Sequence, residues 1–419
     1  MRRRWHSMAI GLTLVGVHLP PWVVREPLSS GMIGEAGQPD RQTFAEPPES
    51  PSAPPPHWGR WTTTDDRMVL PVFDGAVVAG RSGLAVLGGF TQRLETTVAI
   101  QIMDRRNGWQ PIGSQMLESR AGHTATPLGD GRYLIVGGVQ GTLGGTLRAL
   151  DACEVLDPFS AGSTEAEAID EPMFGHTAHP LPGGRVAVVW RDAVRIFDGA
   201  LLKWVDRIPL RHARQGHASI ALPGGDILVI GGDDRGTIEI IRPDEVDERR
   251  RSEVWATPWE LHLHEPGVSR LSDGRVFVVG GIDPATGRSS DATWFLNPGT
   301  LAILPGPRLG IEGGIARPAV FERDGLIVVV GGETVDGERR RPTAAVRGLN
   351  LRDERLWSLP DMPRAWLRTS WRQEPDGSIV ARGGYLFVPP DQSGPLAPGI
   401  HLASGEQRLT AGRLPDMRD

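Results

Sequence analysis

The chain has 419 residues, a net charge of −6 and a single cysteine, Cys153. The mild acidity argues against a nucleic-acid-binding surface, and one thiol excludes an internal disulfide framework. Glycine (54) and proline (36) exceed a fifth of all residues, which suits many short strands with frequent turns and no predicted helix.

Residues 1–20 read as a targeting segment. Met1-Arg2-Arg3-Arg4 is basic, and Met8 to Leu19 is an apolar stretch of 12 residues. A membrane span needs about 20 residues, so a signal peptide is expected, with secretion or export to a periplasm and no membrane span in the mature form. An uncleaved anchor and a soluble extension are the alternatives. Residues 21–57 are expected to be a disordered proline-rich linker. The run from Pro47 to Pro56 can build neither ladder nor helix and buries nothing.

From residue 58 to about 415 one phrase recurs, a β-branched run closed by two glycines. The pairs are Gly88-Gly89, Gly137-Gly138, Gly231-Gly232, Gly280-Gly281, Gly331-Gly332 and Gly383-Gly384. Successive first glycines stand 49, 94, 49, 51 and 52 residues apart. The doubled step hides a seventh copy, Gly184 to Arg191, with Trp190-Arg191 in place of the glycines. Four apolar residues in a row predict a strand covered on both faces. Asp-Gly or Gly-Gly pairs precede most copies, as at Pro182-Gly183-Gly184 and Ser272-Asp273-Gly274, and are hairpin signals.

Each repeat therefore reads as four antiparallel strands, a to d, with the glycine-closed phrase as strand b. Residues 185–207 are expected to supply b, c and d of the hidden copy. In the second repeat, strand c is expected near Ala149 to Leu156. Trp109, Trp204, Trp255 and Trp357 open strand d and are expected to pack between neighbouring repeats. The stretch Trp58 to Thr64 is expected to pair with C-terminal strands and so tie the ends together, with Gln407 to Leu414 read as following the last strand c.

A period near fifty with this strand signature resembles kelch-type blades. Ala121-Gly122-His123-Thr124, Gly175-His176-Thr177 and Gln215-Gly216-His217 resemble bacterial kelch-repeat proteins and the propeller domain of galactose oxidase-like enzymes. The resemblance implies an all-β, seven-bladed kelch-type β-propeller with four-stranded antiparallel blades. The oxidases need copper held by tyrosines and histidines and a tyrosine cross-linked to cysteine; only Tyr133, Tyr385 and Cys153 are present, so no cofactor, metal or oxidase site is expected. Propeller enzymes acting on sugars, of the mutarotase or hydrolase type, are the alternative enzyme reading.

His123, His176 and His217 recur at one repeat position and read as hydrogen-bonding residues of the inner strand. His262 and His264 lie on one strand face without a third ligand in view. The b–c loops and d–a connections are the longer ones and must emerge together, because strand a starts where strand b ends. That face is the expected ligand site. Its b–c loops carry Arg191, Asp192, Asp233, Asp234, Arg235, Asp283 and Glu333, and its d–a connections carry Arg120, Arg214 and Arg364. The expected function is a non-catalytic propeller, monomeric, binding a protein or a carbohydrate through this charged face.

Overall fold

The computed structural model describes residues 59–410 apart from 65–66, 81–82, 105–107, 160–161, 234, 256–261, 375, 389–398 and 404. The expectations for residues 1–20 and 21–57, for Trp58 and for the chain beyond residue 410 lie outside these. The described chain is all-β, with ten antiparallel sheets. Its one helical element is a single 3₁₀ turn at Pro182–Gly184.

Seven of the sheets hold one copy of the repeat each. Their b strands are Gly83–Leu87, Tyr133–Val136, the start of Arg185–Asp198, Ile227–Ile230, Val276–Val279, Leu326–Val330 and Ile379–Arg382. We number the sheets 1 to 7 in that order. The hidden copy is real. Arg185–Asp198 pairs by its first half with Thr177–Leu181 and by its second with Lys203–Arg214. Its two ends meet, since Gly199 N donates to Gly184 O at 3.1 Å, so the run folds back on itself. The bend is at Arg191, which keeps the positive φ (46°) that glycine supplies elsewhere.

The apolar runs are explained by what covers them. In sheet 3, Val186, Val188 and Trp190 pack toward sheet 2, and Ala187 and Val189 toward Ile227 and Val229 of sheet 4. The same two-faced burial joins sheets 4 and 5, 5 and 6, 6 and 7, and 1 and 2. Trp255 and Trp357 sit in two of these seams, as expected of the strand-d tryptophans. The glycine doublet is required by close approach as well as by φ. A Cβ on Gly137 would stand 2.5 Å from Met173 O, and one on Gly138 would stand 2.6 Å from Ala121 O.

The ends join as expected, with one correction. Arg60–Thr64 pairs antiparallel with Glu406–Thr410, and Glu406–Thr410 pairs with Ile379–Arg382. Glu406–Thr410 is thus strand c of sheet 7, not a strand that follows it. A hairpin, Tyr385–Val388 with Gly399–Leu402, occupies the long b–c excursion before it. Strand c of sheet 2 is likewise shorter than expected, Cys153–Leu156, because Leu147–Ala149 belongs to a b–c hairpin with Val139–Gly141. The b–c hairpins of sheets 5 and 6 combine in an accessory sheet, in which Arg288 of one is paired with Asp336 of the other.

Candidate functional site

Just before strand a, every one of the seven sheets carries a residue in the left-handed region. These are Asp74 (φ 53°), Gly122 (64°), Gly175 (68°), Gly216 (68°), Glu265 (57°), Arg317 (51°) and Arg368 (55°). Each stands 14 or 15 residues before its b-strand doublet position. The turn has a structural purpose: Gly122 N donates to Asp74 O (2.8 Å) and Arg317 N to Glu265 O (2.9 Å), so equivalent residues of successive sheets are linked through their main chains. Glycine takes this conformation freely, whereas a side chain costs about 1–2 kcal/mol there. Four of the seven are nonetheless charged, which marks a place where strain is kept for another purpose.

Four of these residues, Asp74, Gly122, Arg317 and Arg368, line a cavity of about 290 Å³ together with His123, His176, Glu333, Trp366 and Trp371, among others. Gly122 leaves it room, since a Cβ there would meet nothing within 4 Å. The charges form a graded network. Glu265 accepts from Arg317 and, at 2.8 Å, from Arg340, which also reaches Glu333 at 3.0 Å. Arg340 comes from the accessory sheet, on Arg339–Pro342. Burial works to raise the Glu265 carboxyl, but Arg317 and Arg340 outweigh it and bring it down to about 2.

The other half of the network is looser. Arg368 Nη1 stands 3.9 Å from Asp74 Oδ1. Burial lifts the Asp74 carboxyl above its ordinary value, more than Arg368 and Arg317 lower it. The buried Arg317 Nη1 has no hydrogen-bond partner among the described residues. Burial, with Arg368 nearby, pulls the Arg317 guanidinium down. Phe73 stacks between Phe90 and Tyr385 beside this group, at 5.1 and 4.5 Å between ring centroids.

On the glycine side stand the three histidines. His176 Nε2 lies 2.9 Å from Thr124 Oγ1, and His217 Nε2 lies 3.1 Å from Thr177 Oγ1, each bond joining neighbouring sheets. Burial, reinforced by Arg120, keeps His176 neutral down to about 4, and burial with Arg214 keeps His217 neutral down to about 3. This is the hydrogen-bonding role expected of the position. Among the described residues no group of three His, Cys, Asp or Glu could hold a metal, so His262 and His264 gain no third ligand.

Of the described residues expected to bind ligand, only Glu333 lines this cavity. Arg120 and Arg214 are buried inside the connections they belong to. Arg120 pairs with Glu154 at 3.0 Å and donates to Gly137 O and Ala152 O, both at 3.0 Å. Arg214 donates to Gly231 O (2.9 Å), Thr237 O (2.8 Å) and Glu239 (3.2 Å), beside Asp233 at 3.6 Å. Asp233 is itself taken up by Thr237 N and Oγ1, at 2.9 and 2.6 Å. Asp283 accepts from Ala285 N and Thr286 Oγ1 in its own hairpin. Arg191, Arg235 and Arg364 are exposed, as is Asp192, which pairs with Arg207 at 2.7 Å. Arg364 lies over Trp366, 5.6 Å from the ring centroid. Asp234 lies outside the described residues. The residues that the sequence reading passed over are Asp74, Glu265, Arg317 and Arg368. Aligning the seven repeats on the glycine before His123 would have found them.

Two solved structures share the architecture. A fungal alcohol oxidase of the AA5 family, in complex with copper, has a TM-score of 0.63 at 13% identity, covering 84% of this chain and 76% of its own. YjhT has a TM-score of 0.50 at 11% identity, covering 83% of this chain and 99% of its own. At such identities the likeness is one of fold, a kelch-type propeller, and function has to be read from the site. No family model matches the sequence, and no curated protein matches it.

The residues present do not suit the copper chemistry of the first neighbour. Cys153 is buried in strand c of sheet 2, its thiol pushed up to about 12 by burial. The Tyr133 hydroxyl is bound to Ala79 O, and Tyr385 lies on another sheet beside Arg368 and Asp74. A cross-linked tyrosine–cysteine pair with histidine ligands is not assembled among the described residues.

Proposed function

We propose that this protein is a secreted or periplasmic seven-bladed propeller that binds a small polar anion, a hydroxylated carboxylate, in the pocket before strand a. The reading rests on one observation. Arg317 and Arg368, at strained left-handed positions, line one cavity, and Arg317 keeps a buried guanidinium nitrogen without a partner. An unpaired buried N–H is costly, and guanidinium groups suit carboxylates in paired geometry. Trp366 and Trp371 add flat apolar walls of the kind that pack a ligand's carbon face. A protein partner presenting a carboxylate would use the same groups.

Calorimetric titration with D-glucuronate tests this. Saturable binding that weakens at least tenfold in Arg368→Gly supports it; the absence of binding by wild-type protein refutes the proposed ligand class.

A second reading has its own support. Asp74, whose carboxyl burial raises above its ordinary value, shares the cavity with the neutral imidazoles of His123 and His176. An acid and a base placed together suffice to open a sugar ring. NMR exchange spectroscopy on glucuronate anomers would show acceleration that Asp74→Asn removes; no acceleration by wild-type protein leaves the binding role alone.

A further inference from the structure

The three histidines of sheets 2, 3 and 4 occupy one repeat position, yet they do not share one fate. His176 is tied to Thr124 of sheet 2 and His217 to Thr177 of sheet 3. Each threonine stands two residues after the left-handed glycine of the preceding sheet. For His123 the preceding sheet is sheet 1, and there the same position, two residues after Asp74, is Ala76. No hydroxyl is supplied. Both ring nitrogens of His123 are buried without a partner among the described residues, the residue is 7% exposed, and it lines the cavity together with Arg368 and Asp74. Leaving both nitrogens unpaired carries their full desolvation cost; one threonine would relieve it at Nε2, as it does in His176 and His217, whose Nδ1 alone stays unpartnered.

We infer that His123 is the ligand-contact imidazole of this pocket, left uncommitted by Ala76 so that it can bond a hydroxyl group of the ligand whose carboxylate the arginines hold. This rests on the anion-site reading above. A neutral imidazole offers one N–H donor and one acceptor, and a hydroxyl is the group that can answer either. Burial, Arg120 and His176 all hold the ring in its neutral form. The specificity would then be divided. The arginines select the anion, and His123 selects a hydroxylated ligand over one without hydroxyl groups.

The test restores the missing hydroxyl. Ala76→Thr gives His123 the partner its two sisters have, and Ala76→Ser does so with less bulk should the threonine variant fold poorly. Two probes are titrated by calorimetry, D-glucuronate and cyclohexanecarboxylate, which has a ring and a carboxylate but no hydroxyl. The expected result is a higher Tm, at least tenfold weaker glucuronate binding and unchanged cyclohexanecarboxylate binding. In wild-type protein, the His123 ring resonances should move on adding glucuronate while those of His176 and His217 stay. Equal weakening of both probes, or a His123 resonance indifferent to bound glucuronate, overturns the inference. If wild-type protein binds neither probe, the anion-site reading fails. The uncommitted state of His123 is then decided by stability alone: a raised Tm in Ala76→Thr upholds it, and an unchanged or lowered Tm overturns it.

Discussion

Three glycines and four charged residues make the same backbone turn at the same repeat position, and one of the glycines and three of the charged residues line one cavity. In sheets 2 to 4, Gly122, Gly175 and Gly216 adopt positive φ without strain, the first two with open space where a Cβ would stand, and two of the following histidines are bonded to the sheet before. In sheets 5, 6, 7 and 1, Glu265, Arg317, Arg368 and Asp74 adopt it with a side chain attached. One half of the ring of turns serves the fold, and the other carries charge at a cost in stability. A second contrast runs through the arginines. Arg120 and Arg214 are buried and bond backbone carbonyls and carboxylates through their terminal nitrogens, each keeping only Nε without a partner among the described residues, whereas Arg317 and Arg368 line the cavity and Arg317 keeps a terminal Nη1 without one.

The arginine contrast gives the largest expected effect. Arg214→Met leaves Glu239 buried and unpaired and should cost about 3–5 kcal/mol in urea denaturation; a cost no greater than that of Arg368→Gly would erase the distinction. Next comes acid sensitivity on the glycine side. His176 and His217 have folded values near 4 and 3, below the ordinary 6.5. Between those limits the unfolded chain binds more protons, so stability is present at neutral pH and lost as pH falls from about 6.5 toward 4. Each histidine should contribute about 3 kcal/mol of that loss. Thermal denaturation of His217→Asn across this range should show a visibly shallower fall, and an identical slope would place the acid sensitivity elsewhere.

Smaller effects probe the turn itself. Gly175→Arg copies the charged half into the glycine half. With nothing within 4 Å of its Cβ, it should cost only the left-handed penalty, about 1–2 kcal/mol. A loss of several kcal/mol would mean that the two halves differ in packing as well. Smallest is Arg368→Gly, which relieves strain but frees the unfolded chain, and should stay within about 1 kcal/mol of wild type while glucuronate binding falls at least tenfold. Equal binding with equal stability would reduce the charged half to a solvated rim.

Much of the fold was legible because a repeat presents the same physical problem seven times. The glycine pairs, the four-residue apolar runs and the Asp-Gly turns are local answers to it, and even the copy without glycines kept its period. The c strand of sheet 7 was misread because a long b–c excursion with its own hairpin hid the phase of Glu406–Thr410. The site was read by connectivity, which pointed to the b–c loops and d–a connections as a group. It could not tell Glu333, which lines the cavity, from Arg120, which is taken up by Glu154 and carbonyls of sheet 2, or from Asp233, which is consumed within its own loop. The positions that line it were written in the sequence as departures from a glycine, a signal visible only when the repeats are laid in phase.

The sequence by itself determined the repeat, the strand order within each sheet and the neutral, hydrogen-bonding character of the histidine position, because these follow from contacts within one repeat or between identical neighbours. Only the tertiary structure decided which charges are spent and which are free, and that His123 differs from His176 and His217. Both depend on what an adjacent sheet presents across the seam, Ala76 in one case and Thr124 or Thr177 in the others. A residue's bonding capacity is settled by its neighbour in space, and in a ring of sheets that neighbour lies some fifty residues away.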